Sequence, residues 1–243
     1  VRFFLKIILY FFNIKYILPK PHAVTLKFDE EKFMFELNFF LHHFINLFLN
    51  QEITNKDKHY FDKYFTEIIS ELILLPDVFV HRDFHSRNIM IKDDKIYLID
   101  FQDARMGNPF YDLSSLLRDS YFQLSNDALD ELLGYYYMGL NHHSDRKYSF
   151  DEFLNYFDMM SIQRNLKAIG SFAYMKNVKG NNAYLNYIEP TLSYINKNLL
   201  KLSNLTTEKV DKILVKLELM NLIIRLKGKK YQFKGLQNLL KPI

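Results

Sequence analysis

The chain has 243 residues, of which 49% are hydrophobic and 25% are charged, a composition ordinary for a globular protein. That length allows one large core, or a main domain with a small appendage. The absence of cysteine excludes disulfides and thiolate metal sites and fits a reducing, cytoplasmic location. The net charge of +4 is uneven, because residues 203–243 carry nine Lys/Arg and three Asp/Glu. The basic character therefore belongs to the tail.

The first 19 residues are apolar enough to resemble a signal peptide or a membrane span. Lys6, Asn13 and Lys15 interrupt the run, which falls short of the roughly 20 apolar residues that cross a bilayer. We predict a buried helix entering the fold and no membrane partner. Because the chain begins with Val, we also expect that the start of the natural protein is missing.

Apolar residues at helical spacing predict two helices, over 33–48 and 60–75, before Pro76 and Asp77 break the pattern. A β-rich stretch follows, in which residues 92–94 read as a hairpin turn. From Tyr111 onward the chain reads as helical. The predicted strands are Val78–Val80, Asn88–Ile91 and Lys95–Phe101, and the later helices are Tyr111–Gln123, Asp127–Leu140, Phe150–Lys176 and Ala183–Leu202.

The tail has a different outline. Thr206 or Thr207 is placed to cap a helix that runs to about Met220, and strand-like runs follow at 223–225 and 230–233 around Gly228. Helix, strand, glycine turn and strand outline a winged helix. We predict an α+β, mostly helical fold with two domains, 1–202 and 203–243.

The catalytic motif is H-x-D-x-x-x-x-N over His81–Asn88, followed twelve residues later by Asp100. Phosphoryl transfer from ATP needs a carboxylate to take the acceptor proton, together with oxygen ligands for Mg²⁺. We predict Asp83 as the catalytic base and Asn88 and Asp100 as the metal ligands. His81 is predicted to support the loop backbone.

Other polar residues near the motif have two interpretations each. His85 either faces an acceptor or is an exposed loop residue, and Arg87 either neutralises phosphate charge or is likewise exposed. Gln102 and Asp103 either bind a hydroxylated acceptor or form a structural turn. Asp112 is an N-terminal cap or a backbone tie to the catalytic loop, and is not expected to react.

Two more polar groups are candidates for the acceptor site. Arg118 and Asp119 either reach an acceptor cleft or lie on a solvated charged face, which we prefer. Gln163, Arg164 and Lys167 fall on one side of a helix, and either line the acceptor site through Arg164 or are solvated. The pairs His42-His43 and His142-His143 lack partners at metal-ligand spacing and are predicted to be surface residues.

The motif set resembles the aminoglycoside phosphotransferase and choline kinase superfamily. Within it, the stretches His81–Met90, Ile99–Ala104, Gly107–Tyr121 and Gln163–Phe172 resemble the bacterial N-acetylmuramate/N-acetylglucosamine kinases. The resemblance implies the carboxy-terminal lobe of a protein-kinase-like fold with a small catalytic β-hairpin platform. It also implies ATP and Mg²⁺ as cofactors and, as the substrate, the anomeric hydroxyl of an amino sugar recovered from peptidoglycan.

The sequence departs from that family in two places. Neither a glycine-rich loop nor a strand-borne lysine precedes Glu31, so we expect most of the nucleotide-clamping lobe to be missing and activity to be weak. The tail resembles the winged helix of bacterial DNA-processing proteins of the DprA type, and a nucleic-acid partner is conceivable only through residues 203–243. Two alternative functions stay open: a kinase for another small alcohol such as choline or an aminoglycoside, and a non-catalytic binding protein.

Overall fold

The computed structural model describes residues 25–93, 95–201, 223–226 and 230–233. These residues form two compact units. The first contains the described residues between 25 and 30 and between 72 and 160, and the second contains residues 31–71 and the described residues from 161 onward. The helix predicted over the first 19 residues lies outside the described part of the chain. Among the described residues, no helix is both long enough and apolar enough to cross a membrane.

A small antiparallel sheet anchors the first unit. Strand β1, Val78–Val80, lies where the sequence predicted it and pairs with Arg105–Gly107, a strand that the sequence analysis missed. The segment before the first helix joins this sheet, since the Phe28 amide donates to the carbonyl of Met106 at 2.7 Å. A Cβ atom on Gly107 would lie 2.9 Å from the Cβ of Phe28, so the glycine permits this close approach.

A hairpin lies between the H-x-D-x-x-x-x-N motif and Asp100. Strands β2, Ile89–Lys92, and β3, Lys95–Leu98, pair with Ile89 opposite Leu98. Both are close to the predicted strands, but β3 ends three residues earlier than expected. The next strand in chain order, β4, is Arg105–Gly107. The hairpin exposes apolar side chains: Met90 is 54% exposed and Ile91 is 70% exposed.

Helices cover the rest of the first unit. The helices of this unit are α3, Tyr111–Leu117, α4, Asn126–His143, and the first part of α5, Phe150–Asn177. Helix α3 ends six residues before the predicted boundary. These helices, the β1–β2 loop and the residue before α3 contribute large, fully buried side chains to the core: Phe84, Phe110, Tyr111, Tyr136, Phe153 and Phe157.

The second unit is helical apart from its tail. Helix α1, Glu30–Phe40, continues as a π-helical segment, Leu41–Phe48, and is followed by α2, Asn55–Leu72. The later part of α5 packs closely on α1, since a Cβ on Gly170 would lie 2.8 Å from the Cα of Phe40. The remaining elements are a 3₁₀ turn, Asn182–Tyr187, and α6, Ile188–Lys201.

The tail contributes a second hairpin. Strands β5, Ile223–Leu226, and β6, Lys230–Phe233, pair antiparallel where the sequence predicted strands, and β6 lies beside α6. The helix predicted before them lies outside the described residues. The winged helix and the domain boundary after residue 202 therefore stay predictions.

Candidate active site

The loop between β1 and β2 carries Asp83 and closes on itself. The backbone carbonyl of Asp83 accepts hydrogen bonds from the amide of His85 at 3.1 Å and from the side-chain Nδ2 of Asn88 at 2.9 Å. Residues Ser86–Asn88 form a short 3₁₀ turn. The partly exposed Asp83 side chain is thus presented on a tight turn whose last residue is Asn88.

Buried side chains fix the start of this loop. Phe84 is fully buried, and the His81 ring meets it edge-on with the ring centroids 5.9 Å apart. Burial lowers the pKa of His81 below its ordinary value, while the carboxylates of Asp83 and Asp100 and the backbone of Ile99 oppose that shift. His81 is therefore placed as a neutral packing residue under the loop.

Asp112 holds the same loop from helix α3. Its carboxylate accepts hydrogen bonds from the amides of His81 at 2.6 Å and Arg82 at 2.9 Å. The residue that caps α3 is Phe110, whose side chain makes no capping bond. Of the two interpretations of Asp112, the contacts favour the backbone tie. Arg82 itself adopts a left-handed backbone conformation, with φ of 75°, which non-glycine residues rarely take without such restraint.

The two predicted metal ligands lie on neighbouring chain segments. The Ile99 amide donates to the Asn88 carbonyl at 3.1 Å, which extends the β2–β3 ladder by one residue and brings Asp100 beside Asn88. Since Asn88 donates through Nδ2, its Oδ1 is the amide atom suited to a cation. One amide oxygen and one exposed carboxylate fit Mg²⁺, which keeps several waters and binds substrate phosphates.

This donor set differs from a protein-only metal cage. Within the described ranges, no three His, Cys, Asp or Glu side chains gather as a metal-binding group. A magnesium ion here would therefore draw its remaining ligands from water and a substrate. Asp100 also has a left-handed backbone, with φ of 68°, a second unusual conformation beside the predicted site.

Gln102 and Asp103 are engaged within the protein. Gln102 Nε2 donates to Asp100 Oδ1 at 2.6 Å, and Asp103 Oδ1 lies 3.7 Å from Arg82 Nη1. The amide of Ala104 donates to the carbonyl of Phe101 at 3.0 Å, which closes a turn over residues 101–104. Both side chains are exposed, so contact with an acceptor stays a prediction for them.

His85 and Arg87 share an aromatic partner. The Arg87 guanidinium carbon lies 3.9 Å from the centroid of the Tyr121 ring, and the His85 ring meets the same ring edge-on at 5.2 Å. Arg87 is exposed and His85 is partly exposed. His85, which precedes the Ser86–Asn88 turn, and Arg87, which lies within it, therefore contact the same ring.

The preferred interpretation of Arg118 and Asp119 was wrong. We expected a solvated charged face, but the two residues are only 5% and 3% exposed. Arg118 Nη2 lies 4.0 Å from Asp158 Oδ1, and Asp119 accepts backbone hydrogen bonds. The signal that the sequence offered was Asp119-Ser120-Tyr121, a spacing at which an aspartate bonds the amide two residues later and ends a helix.

Arg164 belongs to the second unit, whereas every other predicted site residue lies in the first. It is 9% exposed and its neighbour Gln163 is 1% exposed, so the solvated interpretation of this polar stripe was wrong for both. Gln163 Nε2 donates to the buried Glu36 Oε2 at 3.0 Å. A role for Arg164 in binding an acceptor stays a prediction.

The four paired histidines are not alike. His42, His142 and His143 are exposed, as predicted. His43 instead packs against the ring of Phe39, with the ring centroids 4.1 Å apart. Burial, followed by the neighbouring His42, lowers the pKa of His43.

Comparison with known protein families gives a match that covers parts of both units. Residues 36–148 match the model of the phosphotransferase enzyme family. This matched stretch, which is similar to that family, includes the Asp83 loop, both predicted metal ligands and Asp112, and it ends within the loop that follows α4.

Curated relatives match a longer stretch of the chain. An N-acetylmuramate/N-acetylglucosamine kinase of Neisseria meningitidis is 33% identical over 176 residues, which is 72% of this chain and 53% of that protein. The kinase of the same name from Pseudomonas putida is 28% identical over 175 residues, or 70% of this chain and 50% of that protein. Protein LicA of Haemophilus influenzae is 32% identical over 72 residues. The chain thus spans about half the length of the kinases that it matches.

Proposed function

We propose that this protein is part of an ATP- and Mg²⁺-dependent kinase that phosphorylates the anomeric hydroxyl of N-acetylmuramate or N-acetylglucosamine. The observation that carries the proposal is the closed Asp83–Asn88 turn, joined to Asp100 by the ladder bond between Ile99 and Asn88. The names of the matched kinases supply the acceptor. A cytoplasmic location, where ATP is available, goes with this proposal.

In the proposed reaction the acceptor hydroxyl oxygen attacks the γ-phosphorus of ATP. The new oxygen–phosphorus bond forms as the bond to the β-phosphate oxygen breaks, ADP leaves, and the hydroxyl proton passes to the Asp83 carboxylate. Asn88 and Asp100 would hold Mg²⁺, which would neutralise charge on the phosphates. The buried ties from Asp112 keep Asp83 in place, so that little reorganisation accompanies proton transfer.

Arg87 is proposed to face phosphate, and His85, Gln102 and Asp103 to contact the sugar. The position of Arg87 supports its role, because its exposed guanidinium is stacked on Tyr121 and Arg87 lies in the turn that ends at Asn88, a proposed metal ligand. A cation fixed by stacking loses less side-chain freedom when it binds an anion. The contacts of Gln102 favour a further task, orientation of the Asp100 carboxylate.

The test is ADP release from ATP and Mg²⁺ with N-acetylmuramate, accompanied by calorimetric binding of the same sugar in the presence of nucleotide. We expect sugar binding and weak turnover in the wild-type chain, and loss of that turnover with retained binding in Asp83→Ala. Asp130→Ala, which removes an exposed carboxylate from α4, is the matched control. Turnover of choline or an aminoglycoside without turnover of amino sugars would contradict the acceptor, and an active Asp83→Ala protein would contradict the base.

A further inference from the structure

Asp119 joins the catalytic loop to the segment that follows helix α3. Its side chain is buried, with 3% of the residue exposed. One carboxylate oxygen, Oδ2, accepts from the amide of Ser86 at 2.7 Å, and the other, Oδ1, accepts from the amide of Tyr121 at 2.8 Å. A single buried carboxylate therefore links two chain segments that are 33 residues apart.

The hydrogen bond from the Ser86 amide to Asp119 lies on the opposite side of Asp83 from the bonds to Asp112. Asp112 accepts from the amides of His81 and Arg82, before Asp83, and Asp119 accepts from Ser86, after it. Ser86 begins the 3₁₀ turn that ends at Asn88. Hydrogen bonds to an ionised acceptor are about twice as strong as those between neutral groups. The two carboxylates thus restrain the loop on both sides of Asp83.

The second bond of Asp119 fixes the aromatic partner of the turn. The Tyr121 amide donates to Asp119. The centroid of the Tyr121 ring lies 3.9 Å from the Arg87 guanidinium carbon and 5.2 Å from the centroid of the His85 ring. Holding Ser86 and Tyr121 on the same carboxylate fixes both halves of this stack. The position of the Arg87 charge then depends on Asp119, although Asp119 does not itself face the phosphates.

We propose that Asp119 is a positioning residue for phosphoryl transfer. It holds the Ser86–Asn88 turn and the Tyr121 ring in register, and so sets the metal ligand Asn88 and the cation of Arg87 relative to Asp83. This role rests on the proposed phosphotransfer function. It does not depend on which acceptor the enzyme uses.

The test compares Asp119→Asn with the wild-type chain. An asparagine offers one oxygen where the carboxylate offers two, so one of the two backbone amides must lose its acceptor. Glu152→Gln is the matched control, since Glu152 Oε2 accepts from the Ser149 amide at 2.9 Å at the start of α5. It makes the same carboxylate-to-amide change away from the catalytic loop.

Two measurements read the positioning role directly. Hydrogen–deuterium exchange at residues 84–88 is expected to be about tenfold faster in Asp119→Asn, while exchange at residues 78–80 of β1 is unchanged. Affinity for Mn²⁺ with ADP, followed by electron paramagnetic resonance, is expected to fall about tenfold, as is typical when a partner that orients a metal ligand is lost. Glu152→Gln should change neither quantity.

Three results would overturn the proposal: exchange that rises equally throughout the first unit, Mn²⁺–ADP affinity that is unchanged, or a wild-type chain that binds no Mn²⁺–ADP. The proposed acceptor is judged separately. If the wild-type chain phosphorylates no sugar but Asp119→Asn still weakens Mn²⁺–ADP binding, the positioning role stands and the proposed acceptor is rejected. If the wild-type chain phosphorylates the sugar and Asp119→Asn does so equally well, the acceptor stands and the positioning role is rejected.

Discussion

The carboxylate of Asp112 lies 2.6 Å from the backbone nitrogen of His81, a residue 31 positions earlier in the chain. Together with the bond to Arg82, this contact holds the loop that presents Asp83. Asp112 is only 1% exposed, so water cannot readily replace it as an acceptor. Loop geometry and helix α3 are therefore coupled through one side chain.

Substituting Asp112 with Asn should destabilise the protein as well as the loop. An amide provides one acceptor oxygen for two buried amides, and an unsatisfied buried donor costs about 1–3 kcal/mol. We expect the free energy of unfolding in urea to fall by about that amount. Asp130→Asn, an exposed change on α4, is the control. An unchanged urea midpoint for Asp112→Asn would show that the loop amides find another acceptor.

His81 should make the stability of the protein depend on pH. Its pKa is lowered from 6.5 by burial, so below pH 6.5 the unfolded chain binds a proton that the folded chain binds more weakly. The free energy of unfolding is expected to decrease as the pH falls below that value. Urea unfolding of wild type and His81→Gln at about pH 7.5 and about pH 5.5 measures this difference. The exposed His59→Gln variant is the control, and equal slopes in all three proteins would refute the prediction.

Two glycines offer a matched pair of alanine substitutions. The new Cβ of Gly107→Ala would lie 2.9 Å from Phe28 and 3.2 Å from Val80, so we expect a loss of about 1–3 kcal/mol of stability. Gly134 lies within helix α4 with nothing within 4 Å of an added Cβ. Gly134→Ala should therefore gain about 0.5–1 kcal/mol through helix propensity. Thermal unfolding of both variants would measure these changes in stability. A stabilised Gly107→Ala would contradict the close packing of Gly107 against Phe28 and Val80.

The hydroxyl of Tyr136 should contribute to the stability of the folded protein. The fully buried Tyr136 donates to the carbonyl of Pro109 at 2.9 Å, in the segment that leads into α3. Removing the hydroxyl leaves that carbonyl without this donor, so Tyr136→Phe is expected to lower the free energy of unfolding by about 1 kcal/mol. The same burial raises the pKa of Tyr136 well above 10.0, with smaller contributions from Asp112 and Tyr148. Spectrophotometric titration should accordingly find it un-ionised until the protein unfolds.

The sequence predicted the element types well where the pattern was local. Hydrophobic spacing placed the long helices and the strand Val78–Val80, and motif spacing placed Asp83 and Asn88 on a loop beside a hairpin. Those features depend on residues close together in the chain. The prediction of a mostly helical fold with small antiparallel sheets was confirmed for the described residues.

The errors arose where distant residues decide the structure. Strand β4 has only three residues, including Gly107, and exists because it pairs with β1 far earlier in the chain. Helix α3 stops at Leu117, and just beyond it the buried Asp119 accepts hydrogen bonds from the amides of Ser86 and Tyr121. The pairing of β4 with β1 and the bond from Ser86 to Asp119 could not be read from the local pattern, although the Asp119-Ser120-Tyr121 turn could. The burial of Arg118 beside the distant Asp158 was hidden for the same reason.

The exposed apolar side chains of the β2–β3 hairpin bear on how the purified chain behaves. Met90, Ile91 and Tyr97 are each about half exposed or more, on a hairpin that also carries Lys92 and Lys95. Sulfate and similar salts strengthen apolar association and screen such lysine charges. We therefore expect the chain to precipitate at lower ammonium sulfate concentration than a Met90→Lys, Ile91→Thr variant, so dilute, low-salt buffer suits its storage and crystallisation.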